Sequence, residues 1–269
     1  MPAVFTVAFN TGKGGTGKTT SAANIAVAAA ETGYSVLAVD FDPQADLTVT
    51  FGIDEDDTTI VRVEQVLSGG IDPIGAALEI QSPALTGRLR ILPTSEDLIA
   101  QRAAIARRQF TDLERILDAF RDDTDLVLID IPGSLTEHTY AGFRAADAVV
   151  LPLEPGVNEF RGIMRRLRDL ESFEREQGLH TACLAALFVR TPARSRDMRE
   201  FRAGFADAGV PVFDAHTRNQ GAVRNDARRG GPTLLVRPCS TVASDYRQIT
   251  AEMLTRIATL IERGAEVPA

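Results

Sequence analysis

Residues 10–20 read Asn-Thr-Gly-Lys-Gly-Gly-Thr-Gly-Lys-Thr-Thr. Gly12, Gly17, Lys18 and Thr19 fit the phosphate-binding template G-x-x-x-x-G-K-[ST]. Gly14 and Gly15 let backbone N–H groups turn inward around an anion where side chains would collide. Thr16 completes the loop, and Thr20 stands at the start of the helix beyond it. A helix N-terminus placed there adds free N–H groups and the positive end of its dipole. Lys18 then belongs on the β- and γ-phosphates and the Thr19 hydroxyl on Mg²⁺. Three carboxylates follow short apolar runs: Asp40 and Asp42 in Val-Asp-Phe-Asp-Pro-Gln, and Asp130 in Leu-Val-Leu-Ile-Asp-Ile-Pro-Gly. The run into Asp130 has the Walker B pattern, whose carboxylate holds a Mg²⁺-bound water.

Such chemistry needs strands that end together. An apolar stretch over 4–10 reads as a first strand leading into the loop, and 19–32 as the alanine-rich helix leading out, ended by Gly33. Further strands are expected over 35–40, 89–93, 125–130, 148–153 and 184–189, each a short apolar run of the kind buried on both faces. Helical spacing covers 96–121, with a break near Phe110, then 158–177 and 240–262. The 158–177 helix carries Arg161, Arg165, Arg166 and Arg168 ahead of several acids, which reads as a solvated, salt-bridged face. Short strands are expected over 210–213 and 233–236, with a helix over 219–229. A short helix over 61–67 is the one readable part of 58–87. The expected fold is α/β, a doubly wound, mostly parallel sheet with helices on both faces, in one domain over 1–269. In such sheets ligands bind beyond the C-terminal strand edge, where Asp40 and Asp42 emerge.

Lys13 and Lys18 are the only lysines in the chain. Two lysines kept in the same loop point to places where a compact ammonium cannot be exchanged for a guanidinium. The sequence Lys13-Gly-Gly-Thr-Gly-Lys18-Thr-Thr resembles the deviant Walker A box of the ParA/MinD group, and Asp40-Phe-Asp42-Pro-Gln resembles that group's second box. The likeness points to the ParA-type, Soj-like partition ATPases in particular, and is specific at 10–20, 40–48 and 125–132. It implies ATP and Mg²⁺ as cofactors and a nucleotide-sandwich homodimer, with Lys13 reaching the partner's nucleotide. It also implies that Asp42 sets up the attacking water, with Asp40 near the water shell of Mg²⁺ and Thr19 and Asp130 completing the metal site. In that group the loop after the strand over 184–189 approaches the adenine, which nominates Arg190, Thr191 and Pro192. Gly133 departs from the group's pattern, which carries a second proline there. A guanine signature N-K-x-D is impossible without a third lysine, so ATP is favoured over GTP.

The 269 residues carry 29 basic and 37 acidic side chains, a net charge of −8. This argues against a uniformly basic nucleic-acid binder, but not against a local patch. Between 188 and 237 ten arginines face five acids, so this segment is +5 and the remainder −13. That segregation is the footprint of a phosphate-backbone contact, with Arg218, Arg224, Arg228 and Arg229 the first candidates for non-specific DNA. Pairing of these arginines with nearby acids is the competing explanation for each taken singly. The two cysteines, Cys183 and Cys239, form no C-x-x-C pair, which disfavours a zinc site or a metallocluster carrier. No basic, aromatic amphipathic tail follows the last helix, so no membrane anchor is expected.

The reading that follows is a slow ATPase, cytoplasmic and nucleoid-associated, stimulated by a ParB-like partner and driving plasmid or chromosome partitioning. Positioning of another large cargo and a MinD-like, membrane-cycling division regulator are the alternatives.

Overall fold

The computed structural model describes residues 4–12, 14–54, 56–179, 181–192, 197–219, 226 and 230–265. Seven strands form one sheet: β1 (Phe5–Phe9), β2 (Val36–Asp40), β3 (Leu78–Glu79), β4 (Leu89–Leu92), β5 (Leu126–Asp130), β6 (Ala148–Leu153) and β7 (Ala182–Phe188). Their spatial order is β3-β4-β2-β5-β1-β6-β7. All pairs are parallel except β3 with β4, a short antiparallel edge that the sequence did not reveal.

The inner strands are largely apolar because both faces are covered, with Thr6, Asp40, Arg90 and Asp130 the polar positions in β1, β2, β4 and β5. Val7, Phe9, Val36, Ala38, Leu126 and Leu128 join the core on one face, under α1 (Lys18–Glu31) and the closing helix. Ala8, Leu37, Val39, Val127 and Ile129 join the core on the other face. The period of two along each strand sends alternate residues to opposite cores. α1 is buried at Ser21 and from Ala22 through Ala30. Its alanines allow close approach to the sheet on one side and to Tyr246, Ile249 and Met253 of the closing helix on the other.

The chain between β2 and β5 forms short helices: α2 (Asp46–Thr50), α3 (Val63–Ser68), α4 (Pro73–Ala76), α5 (Arg102–Arg107) and α6 (Asp112–Leu117). The expected helix over 96–121 is in pieces. A 3-10 turn covers Glu96–Gln101, and positive φ at Gln109 and Phe110 separates α5 from α6. Then come α7 (Glu137–Ala145), α8 (Val157–Gln177), α9 (Asp197–Asp207), α10 (Thr233–Val236) and α11 (Thr241–Ala265). α7 escaped the sequence reading because Thr136 and Thr139 form its capping box, without the Glu or Gln usual three residues on.

Two further expectations are corrected. Residues 233–236 are helical, because the Leu235 and Val236 N–H groups both turn back onto the Pro232 carbonyl. A four-residue apolar run carries no period that separates strand from helix. The stretch 210–213 is reduced to one bridge, Val212 beside Ala186. The expected helix over 219–229 lies almost wholly outside the described residues.

Candidate functional site

β5 lies between β1 and β2, so three chain segments distant in sequence end side by side. Phe9 is in register with Asp130, and Asp130 with Asp40. β1 runs into the glycine loop, and α1 starts at Lys18, directly after Gly17. The Ser21 N–H closes the first helical turn on the Gly17 carbonyl at 2.8 Å. The N–H groups ahead of it therefore have no intrahelical partner and remain for an anion. Gly17 has φ +87°, and a Cβ there would sit 3.3 Å from Val189 Cγ2. Only glycine meets both conditions. Gly14 and Gly15 are exposed on the lip of the loop, with nothing within 4 Å of an added Cβ. Behind them the buried Thr11 and Thr16 hydroxyls join at 2.5 Å.

Lys18 is buried, and the Thr19 hydroxyl donates to Asp130 Oδ2 at 2.5 Å across 111 residues of sequence. Asp130 Oδ1 is buried without a partner. Burial pushes the Asp130 carboxyl up to about 7, against the pull of Lys18 and Thr19. Asp40 is also raised well above the usual carboxylate range, by burial first and by Asp130 second. Its Oδ2 accepts from the Thr48 N–H at 2.8 Å and from the Thr48 hydroxyl at 2.7 Å. Two buried carboxylates side by side, one oxygen orphaned, with a hydroxyl beside it, have the donor set that a hard divalent cation takes. The residues present therefore fit Mg²⁺ at Thr19 and Asp130, with Asp40 behind them.

Asp42 is half-buried at the mouth, where its Oδ1 accepts from the Gln44 N–H at 3.1 Å. Asp46, at the start of α2, belongs to the same cluster. Burial and Asp42 raise its pKa, while Lys18 lowers it. Sequence reasoning gave Asp46 no role, although it stands four residues after Asp42.

The three residues nominated for the adenine diverge. Arg190 adopts φ +53° and its Nη1 donates to the Gly15 carbonyl (2.8 Å) and to Glu154 Oε1 (2.7 Å), clamping the loop. Thr191 is buried, its hydroxyl donating to the Thr217 carbonyl at 2.8 Å, and Pro192 is exposed. Lys13, Arg224, Arg228 and Arg229 lie outside the described residues. Arg218 is exposed, but its guanidinium is held by Asp245, with Nη2 at 2.5 Å from Oδ1. Arg166 is buried rather than solvated.

A glycine loop feeding a helix, on a doubly wound sheet whose neighbouring strands end in carboxylates, defines a P-loop NTPase. A family model described as an AAA domain matches residues 4–181. The chromosome partitioning protein ParA of Caulobacter vibrioides is 29% identical over 253 residues, covering 91% of each chain. The sporulation initiation inhibitor protein Soj of Bacillus subtilis is 25% identical over 253 residues, 92% of this chain and 97% of that one. A crystal structure of cobyrinic acid a,c-diamide synthase from Mycobacterium smegmatis, with bound ADP and magnesium, matches with TM-score 0.79. Its identity is 28%, over 95% of this chain and 96% of that one. The chain belongs to the ParA-type P-loop ATPase family. Among the described residues no helix is long and apolar enough to cross a membrane.

Proposed function

We propose that this protein binds ATP with Mg²⁺, pairs as a nucleotide-sandwich homodimer and hydrolyses the nucleotide slowly. A ParB-like partner triggers the hydrolysis. In the ATP state the dimer holds non-specific DNA, and hydrolysis releases it, so the cycle serves plasmid or chromosome partitioning. The observation that carries the ATPase reading is the meeting of Lys18, Thr19, Asp40 and Asp130 at one sheet edge.

The chain's own groups divide the work. The N–H groups of the loop and of the first turn of α1 bind the phosphates. Lys18 offsets the negative charge that gathers on the γ-phosphoryl oxygens and the leaving oxygen as the bond breaks. Thr19, Asp130 and Asp40 would hold Mg²⁺, which when bound neutralises charge on the triphosphate. Asp42 holds and orients the attacking water. Arg190 keeps the loop shaped by its bond to Gly15. Pro192, which is exposed beside it, is the residue we assign to the base. Lys13 reaches across to the partner's nucleotide, which accounts for a second lysine in the loop.

Light scattering with ATP and Mg²⁺ tests the cycle. The wild type should dimerise, whereas Lys13→Gln should bind ATP and remain monomeric. An unchanged dimer fraction in Lys13→Gln would remove the role across the interface.

A further inference from the structure

Three consecutive carbonyls follow Asp130 and Ile131, and each is held from a different place. Asn10 Nδ2, just past β1, donates to the Pro132 carbonyl at 2.7 Å. Arg166 Nη2, in the third turn of α8, donates to the Gly133 carbonyl at 2.5 Å. The Thr139 hydroxyl, in α7, donates to the Ser134 carbonyl at 2.5 Å.

Arg166 is an uneconomical residue for stability alone. It is 5% exposed, and its Nε and Nη1 have no hydrogen-bond partner. Its ion pair with Asp169 is stretched to 3.9 Å. A guanidinium so placed loses hydration without full compensation, and an apolar side chain of like volume would suit the site better. Its one short hydrogen bond falls on a glycine, the residue with the freest backbone. The same Nη2 atom would lie 3.9 Å from a Cβ placed on Gly12, so it stands between the loop after β5 and the phosphate loop. Among the described residues the buried side-chain atoms without a hydrogen-bond partner include Asn10 Oδ1, Asp130 Oδ1 and Arg166 Nε and Nη1. Four such atoms thus gather around this one loop.

We propose that Arg166 is a positioning residue for hydrolysis, fixing the loop over 131–135 beside Asp130 through the Gly133 carbonyl. The proposal rests on the ATPase reading above. A loop already fixed beside the reacting phosphate needs less reorganisation at the moment of reaction, so the effect belongs to turnover rather than to nucleotide affinity.

The test compares Arg166→Met, which keeps the apolar stem, with Arg166→Lys, which keeps a charge and a donor. Steady-state hydrolysis, thermal unfolding and amide exchange over 133–136 are measured on each. Arg166→Met should lose about tenfold or more in kcat with KM within about twofold, as misplacement of a supporting group does. Its Tm should hold or rise, its amides at 133–136 should exchange faster, and Arg166→Lys should recover much of the loss. Wild-type kcat in Arg166→Met would overturn the proposal. So would a joint fall of kcat, affinity and Tm that Arg166→Lys does not relieve. If the wild type itself turned over no ATP, the ATPase reading would fall. The exchange data would still decide whether Arg166 holds the loop, and unchanged exchange would sink that claim.

Discussion

At the sheet edge two carboxylates, Asp40 and Asp130, are buried side by side, and one of their four oxygens has no hydrogen-bond partner. In the arginine-rich stretch over 188–237, nearly every described arginine has found an acid. Asp40 and Asp130 share a strand register at full burial, and one Asp130 oxygen has no donor. By contrast, Arg190 meets Glu154, Arg218 meets Asp245 and Arg237 meets the buried Asp226 at 2.6 Å. Arg202 lies 3.6 Å from Asp214 and 5.7 Å above the Phe188 ring. Two of these acids, Glu154 and Asp245, lie outside the stretch. Its +5 along the sequence is therefore partly cancelled in space, and Arg199 is the exposed exception on α9. Two buried carboxyls whose pKa values burial raises suit the first region to the cation and anion proposed for it. Compensated charge in the second leaves the proposed DNA contact to those arginines that acids do not hold.

The largest effect that would break this contrast is at Lys18. Lys18→Ala removes charge-assisted contacts of about 1.5–3 kcal/mol each to the phosphates, so ATP affinity should fall on the order of 100-fold or more. Calorimetry with ATP and Mg²⁺ checks this, and near-wild-type affinity would show that the loop does not act as described.

Asp42 sharpens the comparison within the first region, because it stands at the mouth and not in the buried pair. Asp42→Ala should slow single-turnover hydrolysis on the order of 100-fold, as loss of a water-orienting group does. It should leave ATP affinity intact or improved, since like-charge repulsion on the triphosphate is relieved. Asp40→Ala should lose both turnover and affinity. Wild-type hydrolysis in Asp42→Ala would remove it from the mechanism. Collapse of its affinity would move it to the metal site.

The smallest effect concerns Arg218. If the DNA contact uses it, Asp245→Asn should release its guanidinium and tighten ATP-dependent DNA binding by a few-fold. The log–log salt slope should steepen by up to about one unit. Arg218→Gln should act in the reverse sense across all DNA sequences. Identical binding curves for wild type and both variants would confine the contact to residues other than Arg218.

The glycine loop was legible because it is local: the template falls on consecutive residues, and Gly15 and Gly17 take the positive φ that glycine allows. The parallel strands were legible because burial on both faces leaves a largely apolar run. Residues 233–236 were misread for the same reason, since a buried run that short looks alike as strand or helix. Sequence by itself thus determined the fold class and nominated residues 12–19 for the phosphates. Only the tertiary structure decided that β5 would enter between β1 and β2, which brings Asp130 beside Asp40 and onto Thr19. It also decided that Arg166, on a helix with a charged sequence, would be buried against the loop after β5. Strand order and the choice of ion partners depend on contacts between residues tens to more than a hundred positions apart, and no local pattern records them.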